Sequence, residues 1–107
     1  ALNLVPNGNT TFQGLTPNGT TTGVRPTFTW TPLPGQTDYW VIADNTSLDW
    51  PYVVYQTISA TAANCASGTC SYTSPVDFAP GVAVWEVQAP QSSGAWPETS
   101  LLNFTVN

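Results

Sequence analysis

The sequence predicts an all-β sandwich of about seven antiparallel strands, and three observations point to it. No stretch carries the 3.6-residue apolar period of an amphipathic helix, while Pro, Gly, Asn and Thr punctuate the whole chain. Seventeen of the 107 residues are Thr, a β-branched type suited to a pleated, half-exposed surface. Finally, short apolar runs recur between turn signals at the spacing of a sandwich.

The elements follow in order. Residues 1–10 read as a lead-in or linker, and 11–107 as a single domain. The first strand is expected over 11–16, with Phe12 and Leu15. The second, over 26–31, alternates Phe28 and Trp30 with Thr27, Thr29 and Thr31. Residues 38–44 place Tyr39, Val41 and Ala43 on one face, and Trp40, Ile42 and Asp44 on the other. Further strands are expected at 52–58, 70–73, 82–89 and 100–106, the last with Leu102, Phe104 and Val106 facing one way. Turns are expected at Pro17-Asn18-Gly19, Pro34-Gly35, Asp44 to Asp49, Ala79-Pro80-Gly81 and Ser92-Ser93-Gly94.

Composition limits the function classes. A chain of this length makes one domain, and its 41% apolar residues are enough for one sandwich core. No apolar run approaches the roughly 18 residues of a membrane span, so no membrane partner is expected. Ala1 opens a polar stretch rather than a leader, as expected of a mature or excised segment. Only 7% of residues are charged, Arg25 is the single base, and the net charge is −5. One Arg cannot build a groove for phosphates, which excludes nucleic acid, and it argues equally against sulfated or uronic-acid polymers.

Cys65 and Cys70 enclose Ala-Ser-Gly-Thr, a spacing that lets them close a small disulfide loop. With no His and only two Cys, a zinc site is not expected. The disulfide implies an oxidising compartment, hence a secreted protein.

Several segments resemble the Ig-like or fibronectin-III-like accessory modules of secreted bacterial polysaccharide-degrading enzymes. They are Pro17-Asn18-Gly19-Thr20, Arg25-Pro26-Thr27-Phe28-Thr29-Trp30, Pro34-Gly35 and Tyr39-Trp40-Val41-Ile42-Ala43-Asp44. The Cys65–Cys70 clip and the ending Trp85-Glu86-Val87-Gln88-Ala89, Gly94, Trp96 and Asn103-Phe104-Thr105-Val106 complete the likeness, which spans about residues 15 to 107. The chain departs from these modules at Trp96-Pro97, where Trp-Ser is more common, and at Pro90, where Asn is common. The resemblance implies a monomeric Ig-like sandwich, covalently linked to a catalytic domain in its parent protein, that serves as a glycan binder or a spacer.

Five Trp is a high number for such a chain, and their expected positions differ. Trp30 and Trp85 alternate in phase with apolar neighbours and belong in the core. Trp40 falls on the opposite face from Tyr39 and Val41. In an Ig-like sandwich the third and sixth strands pair, which brings Trp40 beside Glu86 and Gln88. An aromatic plate beside hydrogen-bonding groups suits a sugar, whose C–H face stacks while its hydroxyls find polar partners. Trp50 and Trp96 sit in turn-rich, Pro-adjacent segments where binding residues concentrate, and Tyr52 or Tyr55 would extend the platform. The candidate ligand-binding set is therefore Trp40, Trp50, Tyr52, Glu86, Gln88 and Trp96.

Catalysis is not expected. The acids Asp38, Asp44, Asp49, Asp77, Glu86 and Glu98 fall mostly in turns, and there is neither a His nor a Gly-x-Ser-x-Gly elbow. Asp44-Asn45-Thr46-Ser47-Leu48-Asp49 lacks EF-hand spacing, so a turn explains it better than Ca²⁺, and no metal or cofactor is expected. Four Asn-x-Ser/Thr sequons, at Asn9, Asn18, Asn45 and Asn103, are expected by chance in a Thr-rich chain. The expected function is a non-catalytic carbohydrate-binding module for a neutral polysaccharide, with a ligand-free Ig-like spacer as the alternative.

Overall fold

A computed structural model describes residues 12–46 and 52–107. The strands are β1 (Thr21–Thr22), β2 (Thr27–Trp30), β3 (Asp38–Asn45), β4 (Val54–Ser59), β5 (Cys70–Thr73), β6 (Gly81–Gln88) and β7 (Leu102–Val106). They form a β-sandwich of two unequal sheets. The large sheet runs β1-β7-β6-β3-β4, and the small one is β2-β5. The expected pairing of the third and sixth strands is present, with Trp40 opposite Gln88 and Ile42 opposite Glu86.

Alternation along the strands builds the core. Phe28 and Trp30 on β2 face Tyr39, Val41 and Ala43 on β3 and Trp85 and Val87 on β6, and all seven are fully buried. Phe104 and Val106 of β7 close one side. Phe28 packs on Trp85 with ring centroids 5.0 Å apart, and Trp30 on Tyr39 at 5.3 Å. Polar tips inside the core are mostly satisfied, as burial requires. Trp85 Nε1 donates to the Pro17 carbonyl at 2.7 Å, and the Tyr39 hydroxyl accepts the Leu33 N–H at 2.9 Å. The Trp30 indole N–H is the exception, having no partner among the described residues.

Three expectations need correction. The first strand, expected over 11–16, does not form over the described residues 12–16. Gly14 takes a φ of +63°, and a side chain there would meet Thr31 Oγ1 at 2.7 Å. Thr16 bridges to Thr29 and the Gln13 carbonyl accepts the Thr31 N–H at 2.8 Å, while Phe12 is drawn into the core. The edge position is taken instead by the two-residue β1, which pairs parallel to β7, so the strands are not all antiparallel. Ile42 does share Trp40's face, but it is buried beneath bulky neighbours, Tyr55 and Glu86 lying opposite it on either side. The lead-in 1–10 lies outside the described residues.

Cys65 and Cys70 are disulfide-bonded. The loop turns through a 3-10 segment, Cys65–Ser67, that ends at Gly68, whose N–H bonds the Cys65 carbonyl and whose φ of +101° favours glycine. Cys70 sits opposite Trp30 on β5, so the clip anchors the edge of the small sheet to the core. Replacing both cysteines by alanine is expected to lower stability by about 2 kcal/mol, the chain-entropy value for so short a loop. Urea denaturation of the oxidised protein and the double variant measures the difference.

Candidate binding site

The outer face of the large sheet carries most of the predicted site. Register sets Thr57, Trp40, Gln88 and Glu98 side by side across four chain segments, with Tyr55, Ile42 and Glu86 in the next row. The aromatic side chains meet there in a continuous series. Trp96 contacts Trp40 edge-on at 6.2 Å, Trp40 contacts Tyr55 at 4.9 Å, and Tyr55 contacts Tyr52 at 5.3 Å. Trp96 is 49% exposed and Tyr55 45%, while Trp40 between them and Tyr52 at the far end are half-buried. The rings are steeply inclined to one another, by 70°, 59° and 82° along the series, so they form a faceted ridge and not a flat plate.

Trp96 reaches this face because its loop folds back over β6. The Gln91 N–H donates to the Ala95 carbonyl, the Ala89 N–H to the Pro97 carbonyl, and Glu98 bridges Gln88. The indole Nε1 of Trp96 then donates to Gln88 Oε1 at 2.7 Å. Gln88, expected to meet a sugar hydroxyl, therefore spends its carbonyl oxygen on orienting Trp96. Its Nε2 points to Glu86 Oε1 at 3.4 Å.

Glu86 is half-buried, and its carboxyl titrates above the ordinary carboxylate range. Desolvation is the main cause and the nearby charge of Glu98 adds to it, while the contact with Gln88 opposes both. The folded state therefore binds the Glu86 proton more tightly than the unfolded state does. That contribution to stability is present below the ordinary carboxylate pKa and is lost as pH rises through the raised one. Thermal midpoints measured from about pH 4 to about pH 7 are expected to fall across this window for the wild type, and to fall less for Glu86→Gln, which keeps an acceptor for Gln88.

Of the predicted site residues, Trp40, Tyr52, Glu86, Gln88 and Trp96 come together on one face, joined by Tyr55. Trp50 lies outside the described residues. Arg25, the chain's one base, is held by Asp77 at 2.7 Å, with both side chains exposed. Among the described residues no three His, Cys, Asp or Glu side chains lie together as metal ligands would, and no helix is long and apolar enough to cross a membrane. Asp44, expected to open a turn and to face outward, instead lies within β3 opposite Val84 and is buried, with its Oδ1 accepting the Asn45 N–H at 2.9 Å.

Sequence reasoning missed the concavities of the surface, of which two flank the aromatic face or its loops. One, about 410 Å³, lies between residues 34–37 and 90–93; it is polar, and Gln36 ties its two loops together by donating to the Asp38 and Pro90 carbonyls. The other, about 320 Å³, opens between β4 and β5 and adds Tyr72 to Tyr52 and Tyr55. Cys70 and Tyr72 alternate with Ser71 and Thr73 along the short β5, a period-2 signal that could have marked Tyr72.

Fold and face together define a β-sandwich domain with an aromatic outer sheet. The sequence matches no family model and no curated protein. Among solved structures the fold is similar to that of CopC from Methylosinus trichosporium OB3b, with a TM-score of 0.56 at 15% identity over 85% of each chain. At that identity the likeness shows the fold alone.

Proposed function

We propose that this domain is a non-catalytic carbohydrate-binding module that holds a secreted glycan-degrading enzyme, covalently joined to it, against a neutral polysaccharide. The observation that carries the reading is the unbroken aromatic series Trp96–Trp40–Tyr55–Tyr52, which lies beside the polar pair Glu86 and Gln88. Exposed aromatic surface of this extent on one sheet face favours a ligand. Stacking of sugar C–H faces on Trp96 and Tyr55 provides the apolar contact, and Glu86, Glu98 and the tyrosine hydroxyls offer hydrogen bonds. With its one base already held by Asp77, the chain has nothing to draw anionic polymers, which favours neutral ones. A shallow surface of this kind supports affinities of about 1 µM to 1 mM. The Cys65–Cys70 disulfide supports an extracellular setting.

The steep inclination of the rings favours a second reading, in which the ridge packs against a neighbouring domain and the module is a spacer. Affinity electrophoresis across neutral and anionic polysaccharides, with albumin as the unretarded reference, separates the two. Selective retardation by a neutral polymer supports the binder; unchanged mobility across the panel supports the spacer.

A further inference from the structure

The two sheets differ in width, five strands against two, and β4 is an edge strand of the wider one. Its Val54 and Ile58 are buried in the core, but between them the cover is incomplete. Gln56 shows the result: its register opposite the fully buried Val41 turns it towards the sandwich interior, yet it is exposed. Across the gap, Tyr72 pairs with the fully buried Phe28 on the inner face of the small sheet and is only half-buried. Between them lies the 320 Å³ slot, lined by Tyr52, Tyr55, Gln56, Tyr72, Pro75 and Val76.

We infer that this slot receives the terminal pyranose of a neutral glycan chain whose following residues cross the aromatic ridge, an inference that rests on the binding reading above. The lining contains no Asp, Glu, Lys or Arg, so a charged ligand finds no counter-ion in it, whereas a sugar ring finds aromatic and aliphatic walls with an amide at the mouth. The Gln56 Nε2 donates to the Thr57 carbonyl at 3.1 Å, which orients that amide. Tyr52 and Tyr55 belong to both the slot and the ridge, so the surface is continuous from Trp96 into the slot. Behind the lining, Val41, Ile58 and Phe28 are packed core, so the slot is closed at its floor and a chain end enters it from the mouth.

The test uses barley β-glucan, soluble xylan, galactomannan and glycol chitin in affinity gels. Whichever polymer retards the wild type is then partly cleaved by dilute acid, which raises the number of chain ends at constant mass. Retardation is expected to strengthen with the number of ends, and Tyr72→Ala and Gln56→Ala are each expected to weaken it about tenfold, the loss of one good contact. Gln56 is exposed, so its variant keeps the wild-type thermal midpoint and stands in if Tyr72→Ala does not fold. Retardation indifferent to cleavage and to both variants, but lost in Trp96→Ala, overturns the slot while leaving the binding reading intact. A wild type that no polymer retards overturns both.

Discussion

Trp85→Ala is expected to cost about 3–5 kcal/mol, the largest single effect in the molecule. Its indole is fully buried between Phe28 and the β6–β7 pairing, and truncation leaves a cavity that packed neighbours cannot collapse into. It also strands the Pro17 carbonyl, which is otherwise met by Nε1 at 2.7 Å. Phenylalanine substitutions isolate this second contribution. Trp85→Phe orphans a buried acceptor, whereas Trp30→Phe removes an indole N–H that already has no described partner. The first is therefore expected to be the costlier by about 1–3 kcal/mol. Urea denaturation of the three variants measures both effects, and equal costs for the two phenylalanine variants would contradict the assignment.

The second large effect concerns the ridge. Trp96→Ala is expected to reduce retention on the recognised polymer by at least about tenfold, because stacked aromatic surface carries most of the contact energy at such sites. Its stability cost is expected to stay within about 1 kcal/mol, since Trp96 is half exposed and its one hydrogen bond, to Gln88, lies at the surface. Trp40 is the less informative position. It supports Trp96 on one side and Tyr55 on the other, so its removal disorders two neighbours as well as losing its own ring. Native gels containing the polymer, run beside thermal melts, separate lost binding from lost folding. Full retention by a folded Trp96→Ala would move the reading towards the spacer.

The strands that bury a regular alternation were legible in the sequence. Phe28 and Trp30, Tyr39 to Ala43, and Trp85 to Ala89 announce one buried face each, and the structure buries those faces. The meeting of Trp40 with Gln88 followed from the pairing of third and sixth strands expected of an Ig-like sandwich. Elements held by backbone bonds left no such trace. β1 is two threonines, and its pairing depends on where β7 ends, which side-chain periodicity does not encode. The interruption at Gly14 was equally silent, because a glycine's φ depends on the fit against Thr31. In the candidate site, sequence located the rings but not their contacts. That Trp96 would fold over β6 and claim Gln88, or that Tyr72 would face Gln56 across a gap, depends on loop path and relative sheet width. Both are properties of assembled layers, which no local window contains.

The outer side of the small sheet is built from hydroxyls. Thr27 bonds Thr73 through their Oγ1 atoms at 2.8 Å, Thr16 bonds Thr29 at 2.6 Å, and Ser71 lies opposite Thr29. The opposite side of the domain presents indole and phenol rings. Such a body is wetted unequally, one flank holding its hydration layer and the other shedding it readily. Laid on a weakly polar solid, it is expected to settle one way up, threonines towards the liquid. A fluorescent label on the threonine flank would then stay accessible to a soluble quencher after adsorption, whereas one placed beside Trp96 would be shielded.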